Sequence, residues 1–273
     1  DYGPRTMTSL PAPILEALEH CDVSIYACRT QTGELSHRIE MMGVINRVKP
    51  RHGHMVNINH QIMMEGMQAD FNEVDRLSRR VYDLASVARR ITAKTKRGTD
   101  LEVALSPDLR WLKTSGIITR DKWGNLPGGE IFTSPARVDG VFVVDGVVGD
   151  YLCEKYGDLE AAPHTIEIEE SRIRTCRSDN TELQEEFVRY CMTDENSNRV
   201  GEFAIGTNIA LTRVIGHILQ DEKIPGVHIA FGHPYSEHTG ADWRSTTHID
   251  VVGRDFDIWI EGRRIMTDGR FTL

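Results

Sequence analysis

The alternation of apolar and polar positions divides the chain into two parts with different rhythms. The stretch from Leu15 to about Leu35 reads as a helix that gives way to a strand around Asp22 to Ala27 and then a loop. Gly53 to Asn59 alternates at the two-residue period of a strand, whereas His60 to Met67 and Phe71 to Ala88 repeat at helical spacing. Helices alternating with short strands predict an α/β layer over residues 1–95. After Lys94 short β-type runs are separated by turn signals at Arg97-Gly98-Thr99-Asp100, Asp139-Gly140 and Asp145-Gly146. The last two predict a β-hairpin over Val141 to Val148. Helices are expected from Thr181 to Met192 and over Ala210 to His217. The expected fold class is therefore α/β plus α+β: an N-terminal α/β domain, residues 1–95, followed by a β-rich domain, residues 96–273. The chain starts at Asp1 and not at a methionine, so the first domain is read as open to an upstream extension.

With 273 residues the chain can bury its own hydrophobic core without disulfide staples. Acidic residues outnumber basic ones, 41 against 32, giving a formal charge of -9, and this argues against a nucleic-acid-binding surface. The five cysteines are odd in number, lie far apart and form no C-x-x-C pair. They read as reduced thiols of a cytoplasmic protein. No apolar run reaches the roughly 18 residues of a membrane helix, and the basic-then-apolar pattern of a secretory signal is missing, so no membrane partner is expected.

Four segments place a potential metal ligand on or at the start of an expected strand: Gly129-Glu130-Ile131-Phe132-Thr133, Gly201 to Gly206 around Glu202, Val227 to Gly232 around His228, and Thr247-His248-Ile249-Asp250-Val251. Strand alternation points His248 and Asp250 the same way, with Ile249 facing away. It also leaves only Ala204 and Gly206 beside Glu202, and Ala230 and Gly232 beside His228. Small neighbours make room for an ion and a ligand. Taken singly, such a glutamate is ordinarily a solvated edge residue and such a histidine a hydrogen-bonded core residue. Together they form a mixed oxygen and nitrogen set suited to Zn²⁺, Mn²⁺, Co²⁺ or Fe²⁺, and the lack of cysteine disfavours a structural zinc site.

The motifs from Leu126 to Pro135, Gly201 to Asn208, Asp221 to Gly232 and Arg244 to Asp250 resemble, in this order, those of the thermophilic aminopeptidase family, the aminopeptidase T and aminopeptidase S type. The resemblance runs from about Leu10 to the C-terminus. It implies a hydrolase with two divalent ions per chain, held by Glu130, Glu202, His228, His248 and Asp250, whose activated water attacks the peptide carbonyl next to a free N-terminus. Glu222 matches a further ligand only if one residue is inserted before His228, and on sequence alone it reads as a surface residue of Asp221-Glu222-Lys223. Tyr235, seven residues after His228, matches an active-site tyrosine able to hydrogen-bond an oxyanion. A homodimer or higher homo-oligomer and a small-molecule or short-peptide substrate are implied in the same way.

The short stretch between Tyr235 and His248 and the small size of the chain depart from full-length aminopeptidases, which leaves peptide specificity open. Two alternatives stand beside the hydrolase. One is a mononuclear Fe(II) dioxygenase that opens a hydroxylated N-heterocycle or aromatic ring; its known member lacks counterparts of Glu130 and Glu202. The other is a non-catalytic metal-binding protein.

The Ser36-His37-Arg38 motif matches shorter aminopeptidase-like relatives and nominates His37 for substrate binding, the alternative being an exposed loop histidine. Arg244 is a candidate rim residue able to hold a carboxylate bidentately. His52 and His54 flank a glycine and read as solvated, and Met63, Met64 and Met67 read as core. His233 and His238 lie close to the expected site in sequence without an assigned role.

Overall fold

The computed structural model describes residues 6–29, 34–149 and 151–273. In chain order the strands are β1 (Val23–Cys28), β2 (Arg51–Val56), β3 (Arg90–Lys94), β4 (Asp100–Ala104), β5 (Leu112–Thr114), β6 (Gly124–Asn125), β7 (Glu130–Thr133) and β8 (Arg137–Val144). They continue with β9 (His164–Glu169), β10 (Arg172–Ser178), β11 (Val200–Gly206), β12 (Gly226–Gly232), β13 (His248–Val252), β14 (Asp257–Ile260), β15 (Arg263–Thr267) and β16 (Arg270–Phe271). The helices are α1 (Ala12–His20), α2 (Leu35–Val48), α3 (His60–Met64), α4 (Phe71–Ala85), α5 (Leu152–Tyr156), α6 (Thr181–Tyr190), α7 (Ile218–Asp221) and α8 (Ser236–Thr239).

The first part is a β-α-β unit, in which α2 connects the parallel strands β1 and β2, as a parallel pair requires of its connection. The first helix stops at His20 and does not continue towards Leu35; residues 30–33 of that stretch lie outside the described residues. Helix α2 has no counterpart in the sequence reading. Its buried stripe of His37, Met41, Val44 and Ile45 has helical spacing, but it carries a histidine, and exposed Ile39 on another face blurs the period. Helix α4 matches its expectation closely. Asp70 caps it by accepting from the amides of Asn72 and Glu73, and Val74, Ser78, Val81 and Ala85 form its buried face.

Two antiparallel sheets make up the rest: eight strands in the order β10-β9-β8-β4-β3-β14-β15-β16, and five in the order β13-β12-β11-β7-β5. One continuous apolar core draws on both, with Ile91, Leu101, Phe142 and Ile166 from the larger sheet and Ile131, Phe203, Ile229 and Val251 from the smaller. Strand β3, which ends at Lys94, is hydrogen-bonded to β4 on one side and β14 on the other. The molecule is a mixed α and β fold, as its fold class anticipated.

Three local expectations fail. Val141 to Val148 is not a hairpin, because β8 runs straight through Asp139-Gly140 to Val144. Gly140 supplies a left-handed residue inside that strand (φ 123), where a Cβ would stand 2.0 Å from the Asp100 carbonyl oxygen. Ala210 to His217 is irregular, and the short helix begins only at Ile218; the Asp221 carboxylate accepts from the amides of Ile215 and His217 and shapes a turn there instead. Met63 and Met64 are exposed, 41 % and 61 %, while Ile62 takes the buried position.

Candidate metal centre

The five-stranded sheet has two chemically opposite faces. Antiparallel partners project to the same side, and the register pairs Gly206 with Glu130, Glu202 with Ala230, and Ala204 with His228. It then pairs Ala230 with Asp250 and Gly232 with His248. Glu130, Glu202, His228, His248 and Asp250 therefore share one face, across a floor of Ala204 and Ala230. Ile131, Phe203, Ile205, Val227, Ile229, Phe231, Ile249 and Val251 fill the other face and join the core. The core locks the register, and a one-residue slip would invert both faces.

The start of β7 is pinned by a close approach. Gly129 is left-handed (φ 131), a Cβ there would meet that of Asn208 at 2.6 Å, and Asn208 Nδ2 donates to the Gly128 carbonyl. The Asn208 amide donates to the carbonyl of Lys223, which ties the segment after α7 to the same corner.

His228 Nε2 lies 3.5 Å from Glu130 Oε2 and 3.5 Å from Glu202 Oε1. His248 Nε2 lies 3.8 Å from Glu202 Oε2 and 3.5 Å from Asp250 Oδ1. These distances are long for hydrogen bonds. They match the edges of a coordination shell, since two donors about 2.1 Å from one ion at the tetrahedral angle stand about 3.4 Å apart. His228 Nε2 is the nitrogen that faces the two glutamates, while its Nδ1 is buried without a hydrogen-bond partner among the described residues. His248 is oriented through Nδ1, which bonds the His233 carbonyl at 2.9 Å. Among the described residues, two three-residue groups have donor atoms close enough for an ion: Glu130, Glu202 and His228, and Glu222, His228 and Asp250. The residues present fit a divalent metal.

Burial opposes charge on His248, yet Asp250 and Glu202 outweigh it and push the imidazole up to about 10. The same contest raises His228, through Glu202, Glu130 and Asp250. Burial raises Glu202 against the pull of His228 and His248. Asp250 is held low, because His248 overcomes its burial. The carboxylates thus gather positive charge onto the imidazoles, and a bound cation would replace those protons.

Glu222 is not a surface residue. It closes on the cluster beside Lys223, whose side chain is 2 % exposed and whose Nζ lies 2.6 Å from Glu130 Oε1 and 2.5 Å from Glu222 Oε1. Burial raises the Glu222 carboxyl to about 7, with Lys223 opposing the shift. Burial works to lower Lys223, but Glu130 and Glu222 raise it on balance. Sequence reasoning missed Lys223 altogether, because Asp-Glu-Lys has the composition of a solvated turn and lysines are rarely buried unless paired.

Tyr235 takes a left-handed backbone (φ 50), and its ring lies 4.8 Å from that of His248. The residue is 38 % exposed, yet partial burial of the phenol, followed by the carboxylates of Glu202, Asp250, Glu222 and Glu130, raises it above the ordinary range, so it stays protonated. His233 accepts the Tyr235 amide at 3.0 Å. Arg244 is exposed and ion-paired with Glu237 at 3.3 Å. His37 is buried on α2, not on an exposed loop. It bonds the Tyr26 hydroxyl at 3.1 Å and the Met7 carbonyl at 2.9 Å, which commits both ring nitrogens within the N-terminal layer and away from the cluster.

An antiparallel sheet that gathers carboxylates and imidazoles at this spacing is a candidate divalent-metal centre. Residues 64–264 match the thermophilic metalloprotease family, M29, and the chain belongs to that family. Among solved structures it is similar to 2,5-dihydroxypyridine dioxygenase from Pseudomonas putida KT2440, with TM-score 0.64 and 16 % identity over 95 % of this chain and 74 % of that one. It is also similar to wild-type AmpT from Thermus thermophilus, with TM-score 0.63 and 18 % identity over 97 % of this chain and 81 % of that one. At these identities the likeness establishes the fold. No curated protein sequence matches significantly. Among the described residues no helix is long and apolar enough to cross a membrane.

Proposed function

We propose that this protein is a divalent-metal-dependent hydrolase that cleaves the amide bond next to a free amino terminus. The observation that carries this reading is the convergence of Glu130, Glu202, His228, His248 and Asp250 on one sheet face within the family-matched region. When bound, the metal supplies a water acidic enough to ionise near neutral pH and polarises the scissile carbonyl. A carboxylate of the cluster takes the proton of the attacking water and passes it to the leaving amine. Tyr235, protonated and facing the same carboxylates, donates to the carbonyl oxygen as negative charge develops there. Ala204 and Ala230 leave the floor open for the substrate. Arg244, exposed and paired with Glu237, is the residue we assign to meet a carboxylate of a short peptide.

Aminoacyl nitroanilides and short peptides with free or acetylated N-termini test this reading, assayed before and after chelation and after Zn²⁺, Co²⁺ or Mn²⁺ is restored. Metal-dependent cleavage of free N-termini is expected. A metal-loaded protein inert on every amide substrate would overturn it.

His228, His248 and Asp250 are also a two-histidine, one-carboxylate set, which favours a second reading as an Fe(II) oxygenase of a hydroxylated N-heterocycle or aromatic ring. Oxygen uptake by iron-loaded protein with such compounds, absent with zinc, would replace the first reading by the second.

A further inference from the structure

We propose that Tyr190 and Asp194 are positioning residues of the metal centre: together they hold the backbone at and before His248, and so keep that imidazole where an ion can take it. The inference rests on the metal-centre reading and adds to it two residues from outside the five-stranded sheet.

The two histidines of the centre stand on unequal ground. His228 lies in β12, which is paired with β11 on one side and β13 on the other. His248 is the first residue of β13, and β13 is an edge of its sheet. An edge strand presents amides and carbonyls that no ladder satisfies. Farther along β13 a neighbouring loop satisfies them: the amides of Gly146 and Gly149 donate to the carbonyls of Val252 and Asp250 at 2.9 and 2.8 Å, and the Val252 amide donates to the Val147 carbonyl at 2.9 Å.

At His248 a side chain takes over. The Tyr190 hydroxyl donates to the His248 carbonyl at 3.1 Å and accepts the His248 amide at 3.3 Å. A phenol can do both at once, because its oxygen carries one proton and also accepts. Helix α6 aims it there. Leu183, Phe187 and Tyr190 recur at helical spacing, the first two are buried in the core, and the tyrosine brings its polar tip to the strand edge. The turn after α6 adds a second hold, since Asp194 accepts the Thr246 amide and hydroxyl, each at 2.7 Å, and the Ser245 hydroxyl at 3.0 Å.

The backbone of His248 is thus held from α6 and its ring by the His233 carbonyl through Nδ1. Its Nε2 then stands 3.8 Å from Glu202 Oε2 and 3.5 Å from Asp250 Oδ1. Deleting the phenol oxygen leaves an amide and a carbonyl unpaired at the strand end and frees the imidazole to drift from those carboxylates. Groups that orient a metal ligand from behind change ion affinity by about 10- to 100-fold.

Co²⁺ titration of the metal-free chain, followed by the visible absorption of bound cobalt, tests this on the wild type, Tyr190→Phe and Phe187→Leu. Tyr190→Phe keeps the ring and deletes both bonds. It is expected to weaken the apparent Kd for Co²⁺ by about 10- to 100-fold and to shift the cobalt bands. Phe187→Leu loosens the same helix in the core without altering the His248 bonds, and is expected to lower the urea midpoint while cobalt affinity and bands stay as in the wild type. Wild-type affinity and bands in folded Tyr190→Phe, or an equal loss of affinity in Phe187→Leu, would overturn the inference while leaving the metal-centre reading intact. A wild-type chain that binds no Co²⁺ would defeat both. If Tyr190→Phe does not fold, Asp194→Asn, which slackens the turn entering β13, replaces it with a smaller expected loss of affinity, and unchanged cobalt binding there overturns the inference.

Discussion

Among the described residues two histidine clusters can be compared, and their neighbours set them apart. In the N-terminal layer His52 and His54 are 1 % and 4 % exposed, bonded to each other at 3.1 Å, with His52 also bonded to the Ser24 hydroxyl at 2.8 Å. They are not solvated, contrary to the sequence reading, because they project from β2 into a layer roofed by Tyr26 and Trp123. Burial drives them down to about 4 and about 3. On the five-stranded sheet deeply buried His228 and partly exposed His248 are driven up, His248 to about 10, because the carboxylates of Glu202, Glu130 and Asp250 outweigh burial. Burial by itself therefore makes a histidine neutral and structural. Carboxylate company makes it a place for a cation.

The widest separation between the clusters should come from side-chain removal. Glu202→Ala or His248→Ala is expected to abolish bound metal and lower turnover on the order of 10³-fold, the equivalent of several kcal/mol. His54→Gln should leave ion content and turnover unchanged. Metal loss in His54→Gln, measured by elemental analysis, would break the comparison.

Tyr235→Phe should lower kcat by about 10²-fold with the ion retained, the effect of deleting one oxyanion donor. Steady-state kinetics beside metal analysis checks this, and an unchanged kcat would remove the tyrosine from the chemistry.

A smaller effect lies in the pH dependence of stability. His52 and His54 have folded values below the ordinary histidine value of about 6.5, so their contribution is complete above that pH and is lost as pH falls towards 4 and 3. Between pH 7 and 5 each should contribute a loss of about 2 kcal/mol. Urea melts at the two pH values should show a smaller loss in His54→Gln than in the wild type; equal losses would mean that the histidine is not held neutral. The smallest effect is expected at exposed His60, where substitution by Ala should change stability by no more than about 0.5 kcal/mol.

The amino-acid sequence by itself determined which side chains share the face of each strand, since a two-residue period needs no knowledge of neighbours. Glu202 over Ala204 and His248 beside Asp250 were legible for that reason, and so were α4 and the Arg97 to Asp100 turn between β3 and β4. Tertiary structure alone decided what depended on contacts distant in the chain. It brought Glu130 beside Gly206 and Ala230 beside Asp250, kept β8 extended through Asp139-Gly140 by pairing it with β4 and β9, and buried His37, His52 and His54. Above all it turned Lys223 inward. A charged side chain is buried only where opposite charges await it, and those on Glu130 come from a strand more than 90 residues earlier, as the numbering shows. No local pattern around Asp221-Glu222-Lys223 carries that information.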